Sequence, residues 1–286
     1  MAKVTDAYSQ SDQPIFVCDF TPPRGSDPAL LDGAARLTKG FIAVAYNPGK
    51  LVRVDSAAAA YLIRQRLGRD VIFNISPRDM NKIALESRLL GAAALDLENV
   101  LVVQGDPISE RDAVTEVSDY RSTGLIEATR SLNQGLDYRG SNLRSACDFC
   151  IGASIDPGRE TSAEAALTHR KVMAGADFFV TQPVFSFEEV EAFYQEYRSV
   201  AGEDIKVPIL WGIQVLAKEG VLFAGIPETI REQVEQGRDG VEIALEAFES
   251  LRSRGEHGFY VVAPILRGGA RDYETAGRFL EAVPAT

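Results

Sequence analysis

The sequence predicts an α/β protein built as a closed (β/α)8 barrel, and three observations point to it. Eight short apolar runs alternate with helix-patterned stretches, the alternation that builds parallel sheets. Several runs, such as Phe178-Phe179-Val180, are apolar at consecutive positions, as strands buried on both faces are. Eight such units fill about 270 residues without a break in composition, which fits one TIM barrel better than an open, doubly wound sheet. A single domain is therefore expected over residues 15–286, preceded by a loose polar tail at residues 1–14.

The elements follow in order. Ile15 to Phe20 reads as the first strand, stopped by Thr21-Pro22-Pro23. Ser26 or Asp27 can cap a helix carrying Leu30, Leu31, Ala34 and Leu37 on one stripe, and Gly40 ends it. Phe41 to Tyr46 is the second strand, closed by Asn47-Pro48-Gly49, with a helix from Ser56 to Leu67 behind it. Asp70 to Ile75 is the third, and Ser76-Pro77-Arg78-Asp79 is a helix start with Pro at the first helical position. Asn99 to Gln104 is the fourth, leaving through Gly105-Asp106-Pro107 into a less regular stretch with one helix near Gly124 to Leu132. Phe149 to Ile155 is the fifth. Thr161-Ser162-Ala163-Glu164 after it has the capping-box pattern, which by itself accounts for Glu164. The sixth begins at Phe178, ends on Thr181-Gln182 and is stopped by Pro183; a second capping box, Ser186 to Glu189, follows. Val207 to Ile213, with Pro208 near its start, and Gly258 to Ala263 complete the set, with helices over Gly240 to Arg252 and Asp272 to Leu280.

Barrel chemistry collects where the strands end. Those positions hold Asp19, Tyr46, Ser76, Gln104 with Asp106, Asp156, Gln182, Gln214 and Arg267. The set mixes carboxylates with amides and contains no His or Cys cluster, so a zinc site and a Ser-His-Asp hydrolase are not supported. Neither a dinucleotide-binding glycine fingerprint nor a P-loop is present. Such residues suit a hydrogen-bonding heterocycle that must be protonated, with a cofactor carrying the harder chemistry. The net charge of −11 speaks against nucleic acid and anionic membrane as partners. No apolar run approaches a spanning helix and the N-terminus lacks a signal-peptide core, so a cytoplasmic location is expected. Cys147 and Cys150 spell C-x-x-C, but with no second pair and a predicted strand in place of a helix N-terminus a redox or metal role is not expected.

Four blocks of sequence, in order, resemble the methylenetetrahydrofolate reductase family in its short bacterial form, without a regulatory extension. They are Asp19-Phe20-Thr21-Pro22-Pro23-Arg24, Asn99 to Pro107, Arg170 to Phe185, and Gly258-Phe259-Tyr260 followed by Arg267. The resemblance implies a TIM barrel that binds FAD, takes hydride from NADH or NADPH and reduces 5,10-methylenetetrahydrofolate to 5-methyltetrahydrofolate, or runs the reverse oxidation. It implies Asp19 as general acid, with Asp106, Gln182 and Arg267 on the folate. Tyr46, Gln104, Gly105, Asp106, Asp156, Glu164, Arg170 and Lys171 would then lie around the flavin. As plainer readings, Arg170 and Lys171 complement a helix dipole, and Tyr46 and Phe223 serve as packing.

The sequence also departs from the family pattern. The acid is usually Glu and here is Asp19. A flavin-facing Thr becomes Ala45, the Arg before Gly-Asp becomes Gln104, and the segment from Gln214 to Gly225 is short, with Phe223 as its candidate stacking aromatic. Two variants therefore stay open: direct hydride transfer without a flavin, and a folate-binding barrel that works only with a companion subunit. A homo-oligomer is equally open.

Overall fold

The computed structural model describes residues 1–10, 12–222 and 225–284. Its eight strands are β1 (Ile15–Phe20), β2 (Phe41–Val44), β3 (Val71–Ile75), β4 (Asn99–Val102), β5 (Cys150–Ile155), β6 (Phe178–Pro183), β7 (Ile209–Gln214) and β8 (Gly258–Val262). Each pairs in parallel with the next, and β8 pairs with β1, so the sheet closes on itself as a (β/α)8 TIM barrel. The outer layer comprises α2 (Ser56–Leu67), α3 (Lys82–Ala94), α4 (Ser122–Asn133), α5 (Thr161–Met173), α6 (Phe187–Ala201), α8 (Gly240–Arg252) and α9 (Tyr273–Ala282), after a short α1 (Val4–Ser9) and with α7 (Glu228–Glu235) inserted after β7.

Strand alternation sorts the side chains into two cores. One lies between sheet and helices and includes Phe73, Phe179, Trp211 and Phe259. The other fills the barrel: Val17, Ala43, Ile72, Leu101, Phe178, Val180 and Leu210 point inward, with Tyr260 packed against them. Further along the same inward face the chemistry turns polar on three strands, two residues on at Asp19 of β1 and Asn74 of β3 and four residues on at Gln214 of β7. That change of chemistry along one face makes the strand exits a site.

Four local expectations are corrected. Residues 4–9 form α1 rather than a loose tail. Val4 is fully buried in the inner core, its amide donates to Asn99 Oδ1 at 3.1 Å, and Met1 lies beside Glu98. A polar-looking segment with one well-placed valine thus floors the barrel. The first crossover is a 3-10 helix, Pro28–Arg36, capped by Asp27, in keeping with Pro28 and Gly33, poor α formers, inside it. Pro183 does not end the ladder but is the last residue of β6, reached through a bulge. The box expected at Thr161–Glu164 does not form, because Glu160 caps α5 by accepting from the Ser162 and Ala163 amides. The second box, Ser186 with Glu189, is present.

Candidate active site at the strand exits

Asp19 sits at the seam between β1 and β8. Only 8% of it is exposed, Tyr260 Oη donates to its Oδ1 at 2.9 Å, and Arg271 Nη2 lies 3.9 Å from its Oδ2. Burial pushes the carboxyl's pKa above the usual aspartate range, while the Arg271 charge and the Tyr260 bond act against the rise without cancelling it. A carboxyl held this way keeps its proton more readily than an exposed one, as a general acid must.

Gln182 reaches the mouth by a different device. Between Val180 and Pro183 the register of β6 against β7 shifts. Thr181, buried, fixes the shift: its Oγ1 donates to the Gln182 carbonyl at 2.7 Å and accepts from the Gly212 amide at 2.8 Å. Gly212 makes the approach possible, since a Cβ there would stand 2.6 Å from the Gln182 carbonyl oxygen and 2.7 Å from the Pro183 nitrogen. The bulge leaves the Gln182 side chain exposed, with donor and acceptor free for a ligand.

Asp106 enters from the loop after β4. Its Oδ2 accepts from the Gly49 amide at 3.0 Å, tying this loop to the one after β2. Gly105 is bracketed by Ser76 Oγ, which donates to the Gln104 carbonyl at 2.9 Å, and by Arg78 Nη1, which donates to the Asp106 carbonyl at 3.1 Å. Arg78 is itself almost buried and forked onto Asp79 at 2.6 and 2.8 Å. Inside the mouth, Asn74 is buried with its Oδ1 unpartnered, an acceptor that a ligand N–H would satisfy.

The sequence matches the family model described as methylenetetrahydrofolate reductase over residues 3–222. The chain belongs to the methylenetetrahydrofolate reductase family. A relative from Caenorhabditis elegans, named as a probable methylenetetrahydrofolate reductase (NADPH), is 27% identical over 215 residues. That match covers 70% of this chain and 30% of the nematode protein, so the chain spans under a third of that relative's length. Among solved structures, an uncharacterized Clostridium thermocellum protein that binds two copies of 5-methyl-5,6,7,8-tetrahydrofolic acid superposes with a TM-score of 0.66 at 14% identity, covering 94% of this chain and 93% of that one. Monooxygenase RslO1 from Streptomyces bottropensis superposes at 0.57, also 14% identical, over 93% and 96% of the two chains. At such identities these likenesses speak to the fold alone.

Against the reductase-family pattern, the flavin-side residues scatter. Gln104 turns to α4, its Oε1 accepting from the Ser122 amide at 2.9 Å. Lys171 is buried beneath α5, where its Nζ donates to the Ser154 carbonyl at 2.5 Å and lies 3.9 Å from Glu164; desolvation depresses its pKa. Glu164, buried too, accepts from the Asp156 amide at 3.1 Å, so it braces the β5 exit rather than capping a helix. Arg170 is exposed in the last turn of α5, at the end leading into β6 and opposite the strand exits. Tyr46, Gly105, Asp106 and Asp156 do stand at the mouth, Tyr46 with Arg88 4.9 Å above its ring. Arg159, exposed at the start of the α5 crossover, lies 3.3 Å from Asp156 at that exit.

Arg267 lies on the loop after β8. The chain after β8 folds back on itself, with Ile265 bridged to Arg271 and Gly268-Gly269 turning in the left-handed region. Arg267 is left exposed at the tip, and Arg271 returns to Asp19. Gln214 spends its amide on the Val215, Val262 and Ala263 carbonyls, locking β7 to β8. Phe223 lies outside the described residues. Tyr260, Arg271, Arg78 and Asn74 were missed by sequence reasoning. Asn74 and Tyr260 had a signal, each being polar at an inward position of an otherwise apolar strand. Cys147 and Cys150 are free buried thiols, and no metal-binding group of His, Cys, Asp or Glu occurs among the described residues. No helix among them is long and apolar enough to cross a membrane.

Proposed function

We propose that this barrel reduces 5,10-methylenetetrahydrofolate to 5-methyltetrahydrofolate with hydride from NADH or NADPH. The buried Asp19 carboxyl, bonded to Tyr260 at the barrel mouth, carries the reading. Hydride adds to the methylene carbon, the bond from that carbon to one ring nitrogen breaks, and the released nitrogen takes a proton from Asp19. Gln182 offers both halves of an amide to the donor–acceptor edge of the pterin, and Asp106 closes over it from the β4 loop. The same groups serve the reverse oxidation. The names of two similar proteins are in keeping with this reading, one naming NADPH and the other 5-methyltetrahydrofolic acid.

The residues present do not fit FAD as the family resemblance implies. Arg170 points from the wrong end, Lys171 is used beneath α5, Gln104 caps α4, and Ala45 is a buried methyl. That placement favours direct hydride transfer from nicotinamide to folate. The test is to follow NADH and NADPH oxidation with the folate substrate, with and without added FAD, on protein whose visible spectrum is recorded first. Turnover by colourless protein without flavin is expected. No turnover under either condition would remove the reductase reading, and turnover only with FAD would remove direct transfer.

A further inference from the structure

The segment that leaves β1, Thr21 to Arg24, gathers three arginines. Arg53 Nη1 donates to the Pro22 carbonyl at 2.8 Å, and Arg271 Nε donates to Thr21 Oγ1 at 3.1 Å. Arg24 belongs to the segment itself and is exposed. The backbone holding them is fixed twice more: Tyr273 Oη accepts from the Thr21 amide at 2.8 Å, and the Val54 amide donates to the Pro23 carbonyl at 2.9 Å. These bonds occupy one edge of each anchored guanidinium. Arg53 Nε and Arg271 Nη1 are buried and have no hydrogen-bond partner. A charged donor removed from water and left unpaired is costly, and two together are unusual.

Counter-charge is also missing. Among the described residues the one carboxylate paired to this group is Asp19, whose 3.9 Å separation from Arg271 is too long for a hydrogen bond. After burial, the charges of Arg271 and then Arg24 hold the pKa of Arg53 below its ordinary value, so the three cations sit within reach of one another. A fixed arginine fork presents parallel N–H groups matched to the oxygens of a phosphate or carboxylate.

We propose that Arg24, Arg53 and Arg271 form an anion subsite at the rim of the barrel mouth, between the β8, β1 and β2 exits, that takes a doubly charged oxygen group of a bound ligand. The proposal rests on the reductase reading only for the two sources it names. One is the pyrophosphate of the nicotinamide dinucleotide, and the other is the pair of carboxylates on the folate's glutamyl tail.

The experiment titrates the intact protein by calorimetry with inorganic pyrophosphate and, separately, with p-aminobenzoyl-L-glutamate. At least one probe is expected to bind, with affinity falling about tenfold or more in Arg53→Gln and Arg271→Gln, the size of a lost charged hydrogen bond. Loss confined to pyrophosphate assigns the subsite to the dinucleotide; loss confined to p-aminobenzoyl-glutamate assigns it to the folate tail. Arg24→Ala removes an exposed side chain without an anchoring bond, so it reports on binding even where the glutamine variants fail to fold, and it too is expected to weaken the probe. Wild-type protein that binds neither probe at millimolar concentration would overturn the subsite, as would folded variants that bind like wild type. Neither probe carries a pterin or a hydride. Anion binding without folate turnover would therefore keep the subsite and discard the reductase reading.

Discussion

Tyr260 on β8 donates a 2.9 Å hydrogen bond to Asp19 on β1, joining the two residues across the seam that closes the barrel. The bond favours the charged carboxylate, whereas burial opposes it and prevails. If Asp19 is the proton donor, activity depends on its protonated form and declines as pH rises through its elevated pKa. Tyr260→Phe removes a stabiliser of the carboxylate, so the pKa rises further. A pH–rate profile of the variant is expected to show its alkaline decline moved to higher pH. A profile that stays put or moves down would detach Tyr260 from the proton donor. The lost bond is expected to cost about 1 kcal/mol of stability.

Asp19→Asn keeps the shape and removes the proton. Folate reduction is expected to fall by about 10²-fold or more, the usual range for a general acid, with saturable folate binding retained. Steady-state kinetics with a parallel binding titration check it, and full turnover by the variant would reassign the proton donor.

Gly212→Ala would place a methyl group against the Gln182 carbonyl and the Pro183 nitrogen, both backbone atoms that cannot swing away. The bulge on β6 must shift, at a cost of about 1–3 kcal/mol in chemical denaturation. Folate affinity is expected to fall with it, because the bulge aims Gln182. Unchanged folate affinity in a destabilised variant would show that Gln182 is not aimed at the ligand.

Val4→Asp puts a charge into the inner core from below. Loss of about 2 kcal/mol or more is expected from the buried valine alone, with the added penalty of an unpaired carboxylate. Denaturant midpoints of Val4→Asp and Val4→Ala measure both parts. A variant as stable as wild type would mean α1 is not docked in solution.

Arg170→Ala separates the family pattern from the geometry found here. The side chain is exposed at the far end of α5, so nicotinamide and folate affinities are expected to match wild type. A selective loss of nicotinamide affinity would restore Arg170 to the cofactor's surroundings.

The barrel was legible because its cause is local and repeated. Apolar runs separated by capped, amphipathic stretches admit few arrangements, and the Ser186–Glu189 box and the eight parallel strands appear where the pattern put them. Asp19 and Gln182 were legible as strand-end polar residues. Legibility fails where a side chain's partner comes from far along the chain. Lys171 could be read as a cation near a helix end, but not as one bent under the helix to the Ser154 carbonyl. Arg267 and Arg271 lie four positions apart, and only the left-handed turn at Gly268-Gly269 decides which returns to Asp19. Gln104 offered no sign that it would spend its amide on α4, and Val4 gave none that one apolar residue in a polar tail would floor the barrel.

That floor bears on traffic. With α1 lodged under the inner core, the polar inner layer faces the mouth opposite it, and under the proposed reaction that mouth is the doorway for both the hydride donor and the hydride acceptor. Either they stand in the doorway together, and initial-rate lines for the two reactants intersect, or one leaves before the other arrives, which needs somewhere in the protein to leave two electrons. Cys18, Cys147 and Cys150 are buried free thiols rather than a disulfide. A barrel working without flavin therefore has to seat both reactants at once, face to face.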